Sequence, residues 1–201
     1  VGMQVSADGR SVATSLGGTT VLFDGVPVAL TYASATQVNA VVPYSVAAKG
    51  STRVQALYQG LPSNTLTMTV QPAAPGVFTL DGTGLGAGAI LNQDFGVNGE
   101  LHPAVAKSVV MIYCTGGGVT NPPGVDASIT TTDPTRFPIL AQNVTATIGG
   151  LPAAVKYKGG APGSLAGLTQ INVEIPEGLA PGRAAVVVQI GDWRSQEGVT
   201  V

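Results

Sequence analysis

Apolar and polar residues alternate in short runs along the chain, and turn residues separate these runs. The segment QVNAVVP at residues 37–43 alternates and then stops at a proline, which cannot donate to a β-ladder. VQALYQG at 54–60 and TLTMTV at 65–70 show the same period of two. No amphipathic stretch with helical spacing persists for three turns. The pattern therefore predicts an all-β protein built from short strands.

One eight-residue phrase is written twice, as TQVNAVVP at 36–43 and as TQINVEIP at 169–176. Upstream, LFDGVPVALTY aligns without a gap with TIGGLPAAVKY, and downstream residues 51–70 align with residues 182–201. Each copy holds four or five short strands over about 60 residues, which is the density of a β-sandwich. We therefore predict two tandem immunoglobulin-like β-sandwich domains, at residues 1–72 and 73–201.

The two predicted domains differ at their beginnings. An apolar strand with a Gly-rich corner, KSVVMIYCTGGGV at 107–119, precedes the second copy, and no comparable strand precedes the first. We expect the first sandwich to lack its first strand and to expose a sheet edge, which the other domain or a missing segment would cover. Because the chain opens on Val1 with no visible signal peptide, a leader or a preceding domain is expected to have been removed.

The second predicted domain contains two irregular segments. It opens with the linker PAAPG at 72–76 and a short hairpin around AGAILNQDF at 87–95. It also carries a long loop at 120–142, and long ordered loops are frequent sites of function.

Composition narrows the class of function. Only 10% of residues are charged, and the nine basic residues are scattered singly at a net charge of −2. This charge pattern is not that of a nucleic-acid or anionic-membrane binder. The longest apolar run, VVMIYC at 109–114, is far shorter than the ~20 residues that span a bilayer. A single cysteine, Cys114, excludes a disulfide within the chain, and its apolar strand predicts a core position.

Several phrases occur together in order: TSLGG, DGVP, the doubled TQ phrase, AAPGVFT, GAILNQD, and TGGG followed by TIGGLPA. Over residues 15–201 the chain resembles the uncharacterised C-terminal domain abundant in Solibacter and other acidobacteria, and its half-repeats are similar to IPT/TIG domains. The family's usual first strand is not recognisable in residues 1–13. The resemblance implies an extracellular, tandem immunoglobulin-like module at the end of a large secreted protein. It implies no established activity and supplies no catalytic residues.

The sole tryptophan, Trp193, lies at a predicted hairpin turn beside Asp192, Arg194 and Gln196. In the sequence alignment its position corresponds to Pro62, so the fold itself would not require an aromatic residue there. A tryptophan in such a turn can stack on a sugar ring or anchor a protein partner. The alternative is that it packs back on its neighbouring domain.

A Gly-rich segment, NQDFGVNGE at 92–100, carries four oxygen-bearing side chains: Asn92, Asp94, Asn98 and Glu100. Oxygen ligands at short intervals suit Ca²⁺, so a structural calcium ion is one hypothesis for this loop. The spacing is not that of an EF-hand, and asparagine and aspartate also recur in turns for local reasons. The leading expectation is no cofactor.

Catalysis would have to use the only histidine, His102, with acids such as Asp126 and Asp133 of the 120–142 loop. No nucleophile elbow or zinc motif accompanies them, and a solvated loop position is expected for His102. The sequence therefore favours a non-catalytic binding, adhesion or spacer module that is secreted or at the cell surface. A carbohydrate-binding module and a secreted hydrolase remain as alternatives. Expected partners are other domains of the parent protein, a cell-surface protein or a polysaccharide.

Overall fold

The computed structural model describes all residues, 1–201. Twenty-one short strands and two 3₁₀ turns, Tyr44–Val46 and Pro134–Arg136, make up its regular structure. The predicted all-β class is confirmed, with several mainly antiparallel sheets. No helix has the length and apolar character needed to cross a membrane.

The chain forms two compact units, each made of three segments. Unit 1 comprises Val1–Pro72, Pro122–Phe137 and Pro162–Gly167, and unit 2 comprises Ala73–Asn121, Pro138–Ala161 and Leu168–Val201. The repeat in the sequence predicts that all of 73–201, including the loop at 120–142, forms the second domain. Most of that loop instead belongs to unit 1, as does the segment Pro162–Gly167, because both segments contribute side chains to a core cluster of unit 1.

Unit 1 contains the first eight strands. They are β1 (Ser15–Leu16), β2 (Thr19–Phe23), β3 (Val26–Pro27), β4 (Leu30–Ala33), β5 (Val38–Ala40), β6 (Ser51–Tyr58), β7 (Leu61–Pro62) and β8 (Leu66–Thr69). The larger sheet follows the order β1–β2–β6–β7, with β3 also on β2 and β8 also on β6, and the smaller sheet is β4–β5 alone. The main core holds Leu16, Val21, Phe23, Val28, Leu30, Ala33 and Val46.

A second buried cluster of unit 1 explains why the late segments join it. Val12, Ala29 and Leu165 are its buried members, although Leu165 is remote from the other two in sequence. Val12 N–H donates to the carbonyl of Ala127 at 2.8 Å, which ties the 122–137 segment to the start of the chain. Within residues 1–13 the backbone forms only isolated bridges and no strand.

The β2–β3 hairpin turns on Asp24 and Gly25, both with positive φ (50° and 85°), as a two-residue type I′ turn requires. The Asp24 carboxylate accepts a hydrogen bond from Arg53 N–H at 2.9 Å and pairs with Lys49 Nζ at 2.9 Å. The Arg53 N–H first, and then Lys49, lower the pKa of Asp24 to about 2. The ionised carboxylate of Asp24 therefore bonds the turn to the neighbouring strand β6.

We expect Asp24→Asn to lower the melting temperature at pH 7, because asparagine tolerates the positive φ but lacks the charge. A carboxyl group whose pKa is lowered on folding stabilises the protein above its unfolded-state pKa of 3.8. That stabilisation is lost as the pH falls through about 2, so the two melting curves should converge across this window. Thermal melts at several pH values measure the difference, and Glu197→Gln controls for removal of one exposed negative charge. A difference that is as large at pH 2 as at pH 7 would contradict the assignment.

Unit 2 contains the other thirteen strands. They are β9 (Gly76–Val77), β10 (Gly86–Ala87), β11 (Ile90–Leu91), β12 (Val109–Thr115), β13 (Thr120–Asn121), β14 (Ile139–Leu140), β15 (Val144–Ile148), β16 (Leu151–Ala153), β17 (Val155–Gly160), β18 (Thr169–Glu174), β19 (Val186–Ile190), β20 (Trp193–Arg194) and β21 (Val199–Thr200). One sheet runs β11–β12–β18–β17–β14–β13, with β9 also on β12. A second runs β16–β15–β19–β20, and β10 pairs with β21 in parallel.

Alternation on the strands of unit 2 builds one continuous core. Val186, Val188 and Ile190 of β19 are fully buried, whereas the residues between them are only partly buried. On β12, Val110, Ile112 and Cys114 are fully buried. Burial raises the pKa of the Cys114 thiol to about 12, so Cys114 is an apolar core residue, as the sequence predicts.

Candidate functional site

Unit 1 leaves a row of large apolar side chains exposed on its larger sheet. Tyr58, Leu61, Leu66 and Met68, on β6, β7 and β8, are between 53% and 74% exposed. We call these four residues the open face. Several large apolar side chains exposed on one sheet mark an interaction site more often than a single exposed residue does.

Strand register places the open face on the core side of its sheet. Val54 pairs with Phe23 on one side and with Leu66 on the other, and directly paired residues lie on the same face of a sheet. Phe23 is buried in the core of unit 1, and Val54 packs against that core. The open face is therefore a continuation of the core face that lies bare rather than an outer surface.

The smaller sheet of unit 1 adds an unpaired backbone edge. β5 pairs with β4 and with no other strand. Gln37 accepts from Ser34 N–H and Val41 N–H donates to Ala29, so these two residues of the β5 segment face β4. Alternation along an antiparallel ladder then directs the N–H and C=O groups of Val38 and Ala40 to the open side. Such an edge is a template for another strand.

The predicted cluster at residues 192–196 is split between two faces of unit 2. Trp193 pairs with Ile190 and packs, partly buried, against the core. Arg194 pairs with Gln189 and projects from the opposite face, beside Thr145. Trp193 and Arg194 therefore do not present a common surface to one sugar ring, and Trp193 packs on the core of its own unit.

The hairpin register also corrects the alignment of Trp193 with Pro62. Trp193 is the first residue after a two-residue turn at 191–192, and Leu61 is the first residue after a two-residue turn at 59–60. Trp193 thus occupies the hairpin position of Leu61, which is also apolar. The alignment by glycines slips by one residue because Gly60 is second in its turn whereas Gly191 is first in its own.

The two other members of the 192–196 cluster have different surroundings. Gln196 is a structural residue: its Oε1 accepts from Val77 N–H at 2.9 Å and its Nε2 donates to Val77 C=O at 2.6 Å. A further bond from Nε2 to the carbonyl of Gly84 measures 3.3 Å. Asp192 lies exposed in the turn itself. Gln196 is thus committed to holding β9 rather than to a ligand.

The loop proposed for calcium is held together by its own amides. Residues 90–98 turn back on themselves, with Leu91 bridged to Val97. Asn92 Nδ2 donates to the carbonyl of His102 at 2.7 Å, and Asn98 Nδ2 donates to Asn92 Oδ1 at 2.9 Å. Both asparagine side chains are buried. The structure brings Asn92 and Asn98 together, but as partners of each other.

The carboxylates of the two acidic residues of that loop contact other protein groups. Asp94 accepts from Gly96 N–H at 3.0 Å and lies 3.0 Å from His102 Nε2. The Gly96 N–H first, and His102 after it, hold the pKa of Asp94 below its usual value. Glu100 pairs with Arg183 at 2.6 Å. No group of three or more His, Cys, Asp or Glu side chains is placed to hold a metal ion.

The residues considered for hydrolysis are each bonded to other groups of the protein. His102 is half-exposed and pairs with Asp94, as expected for a loop histidine. Asp126 accepts a hydrogen bond from Tyr44 N–H within unit 1. Asp133 begins the second 3₁₀ turn by accepting from the Thr135 hydroxyl at 2.8 Å and from Thr135 N–H at 3.0 Å, and these bonds lower the pKa of Asp133. His102 belongs to unit 2 and both aspartates belong to unit 1.

Two surface concavities are too small for an organic ligand. One, in unit 1, is lined by Tyr44 and Asp126 among others and has a volume of about 10 Å³. The other, beside Arg194, has a volume of about 30 Å³. Small-molecule sites usually enclose roughly 300–1,000 Å³. The open face and the β5 edge are the stronger candidates, since they suit a macromolecular partner.

The residues of the open face were not singled out in the sequence, although a signal for them was present. TLTMTV and VQALYQG alternate as core strands do, and the missing first strand predicted an exposed edge. No protein-family model matches the chain, and no curated protein matches it. The functional conclusion rests on the geometry of the open face and the β5 edge.

Proposed function

We propose that the protein is a non-catalytic, protein-binding module of a larger secreted or cell-surface bacterial protein, and that the open face is its binding surface. The observation that carries this proposal is the exposure of Tyr58, Leu61, Leu66 and Met68 on the core side of a sheet. Burial of apolar surface is the main driving force of protein association, so a bare core face favours a partner. The resemblance to the acidobacterial domain supports the location.

We also propose that both units are immunoglobulin-like sandwiches built on one repeated plan. The strand pairings support this. β2 pairs with β3 and β6 in unit 1, and β15 pairs with β16 and β19 in unit 2. Likewise, β4 pairs with β5, and β17 pairs with β18. The doubled TQ phrase spans β5 in one unit and β18 in the other.

A selection experiment tests the binding function without a known partner. The folded full chain is immobilised and used to select clones from a random-peptide phage library, which are then compared on variants. We expect Leu66→Lys with Met68→Lys to weaken binding of the selected clones at least about tenfold, because lysine places a charge in an apolar contact. Val125 is an exposed apolar residue of unit 1 outside the open face, so Val125→Lys should leave binding unchanged.

Circular dichroism melts would establish that all variants are folded. Failure to enrich any clone, or equal binding to the double variant and to the wild type, would contradict the open face as a binding surface.

A further inference from the structure

In unit 2, one strand covers the core face that is bare in unit 1. β12 pairs with β18 so that Val110 lies opposite Val173 and Ile112 lies opposite Ile171. All four side chains are fully buried in the core of unit 2. β12 therefore closes the side of this core that β18 leaves open.

The backbone bonds of β12 show which of its residues face β18. Ile175 N–H donates to Ser108 C=O, and Lys107 N–H donates to Ile175 C=O, each at 2.9 Å. By alternation, Val110 and Ile112 direct their N–H and C=O groups at β18. Met111 and Tyr113 direct their N–H and C=O groups away from β18. Accordingly, Tyr113 N–H donates to Ala89 C=O.

Unit 1 has strands that correspond to the neighbours of β12, but it has no strand in the position that β12 occupies in unit 2. Val38 and Ala40 stand in TQVNAVVP where Ile171 and Val173 stand in TQINVEIP. Their backbone groups face the unpaired side of β5, as those of Ile171 and Val173 face β12. Val38 is 37% exposed, whereas Ile171 is fully buried.

The facing sheet shows the same contrast. Leu66 lies opposite Val54 and is 59% exposed. In unit 2, Ala185 is bridged to Thr200, and the next position in this register places Val199 where Leu66 lies in unit 1. Val199 is fully buried. Ala40 and Val54 pack against the same core of unit 1, so the sheet of β5 and the sheet that carries the open face enclose one core.

We infer that the β5 edge and the open face form one groove that accepts an extended β-strand, antiparallel to β5, with apolar side chains at alternate positions. The inference rests on the proposed function and names the chemistry of the partner: a polypeptide segment with the pattern of β12, supplied by another protein. Its backbone would pair with Val38 and Ala40, and its apolar side chains would cover Leu66, Met68 and Tyr58. Addition of a strand to an exposed edge is an established mode of peptide recognition.

A peptide copied from the chain itself serves as the probe. It spans residues 107–116, carries Cys114→Ala to prevent oxidation, and is flanked by lysines for solubility; we call it the β12 peptide. We expect saturable one-to-one binding to the folded full chain, measured by fluorescence anisotropy. Leu66→Lys in the protein should weaken binding at least about tenfold, whereas Val125→Lys should leave it unchanged. Binding that is indifferent to Leu66→Lys would place the peptide elsewhere and overturn the inference.

Backbone methylation separates strand pairing from apolar adsorption. N-methyl groups on Val110 and Ile112 of the β12 peptide block the N–H groups that would bond to β5, so binding should fall at least about tenfold. N-methyl groups on Met111 and Tyr113 point away from β5, so binding should stay within about threefold. Equal losses from the two patterns would overturn the strand inference.

The remaining outcomes distinguish this inference from the proposed function. If phage clones depend on Leu66 but the β12 peptide does not bind, the binding function stands and the strand partner is wrong. If the chain sediments as a dimer that Leu66→Lys converts to a monomer, and the β12 peptide does not bind, the occupant is a second copy and the inference is overturned.

Discussion

Replacing Gly116 with alanine is expected to destabilise unit 2 by more than about 3 kcal/mol. Gly116 has a φ of +71°, and a Cβ there would overlap the carbonyl group of Ala74. The positive φ and the overlap with the carbonyl group both involve backbone atoms, so no side chain can rotate to make room. Ala74 N–H also donates to Gly116 C=O at 2.9 Å, and relief of the overlap would stretch this bond.

Gly150→Ala is the matched control for backbone strain. Gly150 has a φ of +81°, but nothing lies within 4 Å of the Cβ position, so only the conformational cost of about 1–2 kcal/mol applies. Urea unfolding can be followed by the fluorescence of Trp193, the sole tryptophan, which packs against the core of unit 2. Equal losses of stability in the two variants would contradict the close approach at Gly116.

Ile112→Ala is expected to cost unit 2 about 3–5 kcal/mol. Ile112 is fully buried and lies between Ile90 of β11 and Ile171 of β18. Because ladder hydrogen bonds hold both neighbouring strands, the structure has little freedom to collapse into the space left by the side chain.

The same fluorescence measurement applies to a control at the surface of unit 2. Leu101 is fully exposed, so Leu101→Ala removes a comparable aliphatic side chain at a cost within about 0.5 kcal/mol. A loss of less than about 1 kcal/mol in Ile112→Ala would contradict the role of β12 as the covering strand.

Local patterns could predict the strands and most turns. Period-two alternation and the Asp24–Gly25 pair act over a few residues, so they are visible in the sequence and survive in the structure. The core position of Cys114 follows from its apolar strand in the same way. The register of a hairpin is harder to predict from sequence, because a glycine can stand first or second in a two-residue turn. This ambiguity shifts the aligned partner of Trp193 by one residue, from Leu61 to Pro62.

The division of the chain into units could not be predicted from local patterns. Nothing near Leu165 or Ala127 indicates that these side chains fill space beside Val12 and Ala29. Which core a loop joins depends on the volume left unfilled elsewhere in the chain, and that is a property of the assembled structure.

The candidate sites were also hard to predict, because their chemistry depends on contacts that form only in the folded structure. Four oxygen-bearing side chains on one loop are compatible with a cation, but a sequence does not reveal whether their oxygens face an ion or other protein groups. In the structure Asn92 and Asn98 satisfy each other. Conversely, Leu66 and Met68 have the pattern of ordinary core residues, and only the absence of a covering strand turns them into a surface.

The division of unit 1 among three segments sets the order in which the nascent chain can fold. Its residues are complete only once Gly167 has left the ribosome, although its first segment ends at Pro72. At about 5–20 residues per second, the roughly 95 residues in between take about 5–20 seconds to synthesise. During that interval Val12 and Ala29 lack their buried partner Leu165. The main core of unit 1 can therefore form from the first segment alone, whereas its second cluster must wait for sequence that is made after much of unit 2.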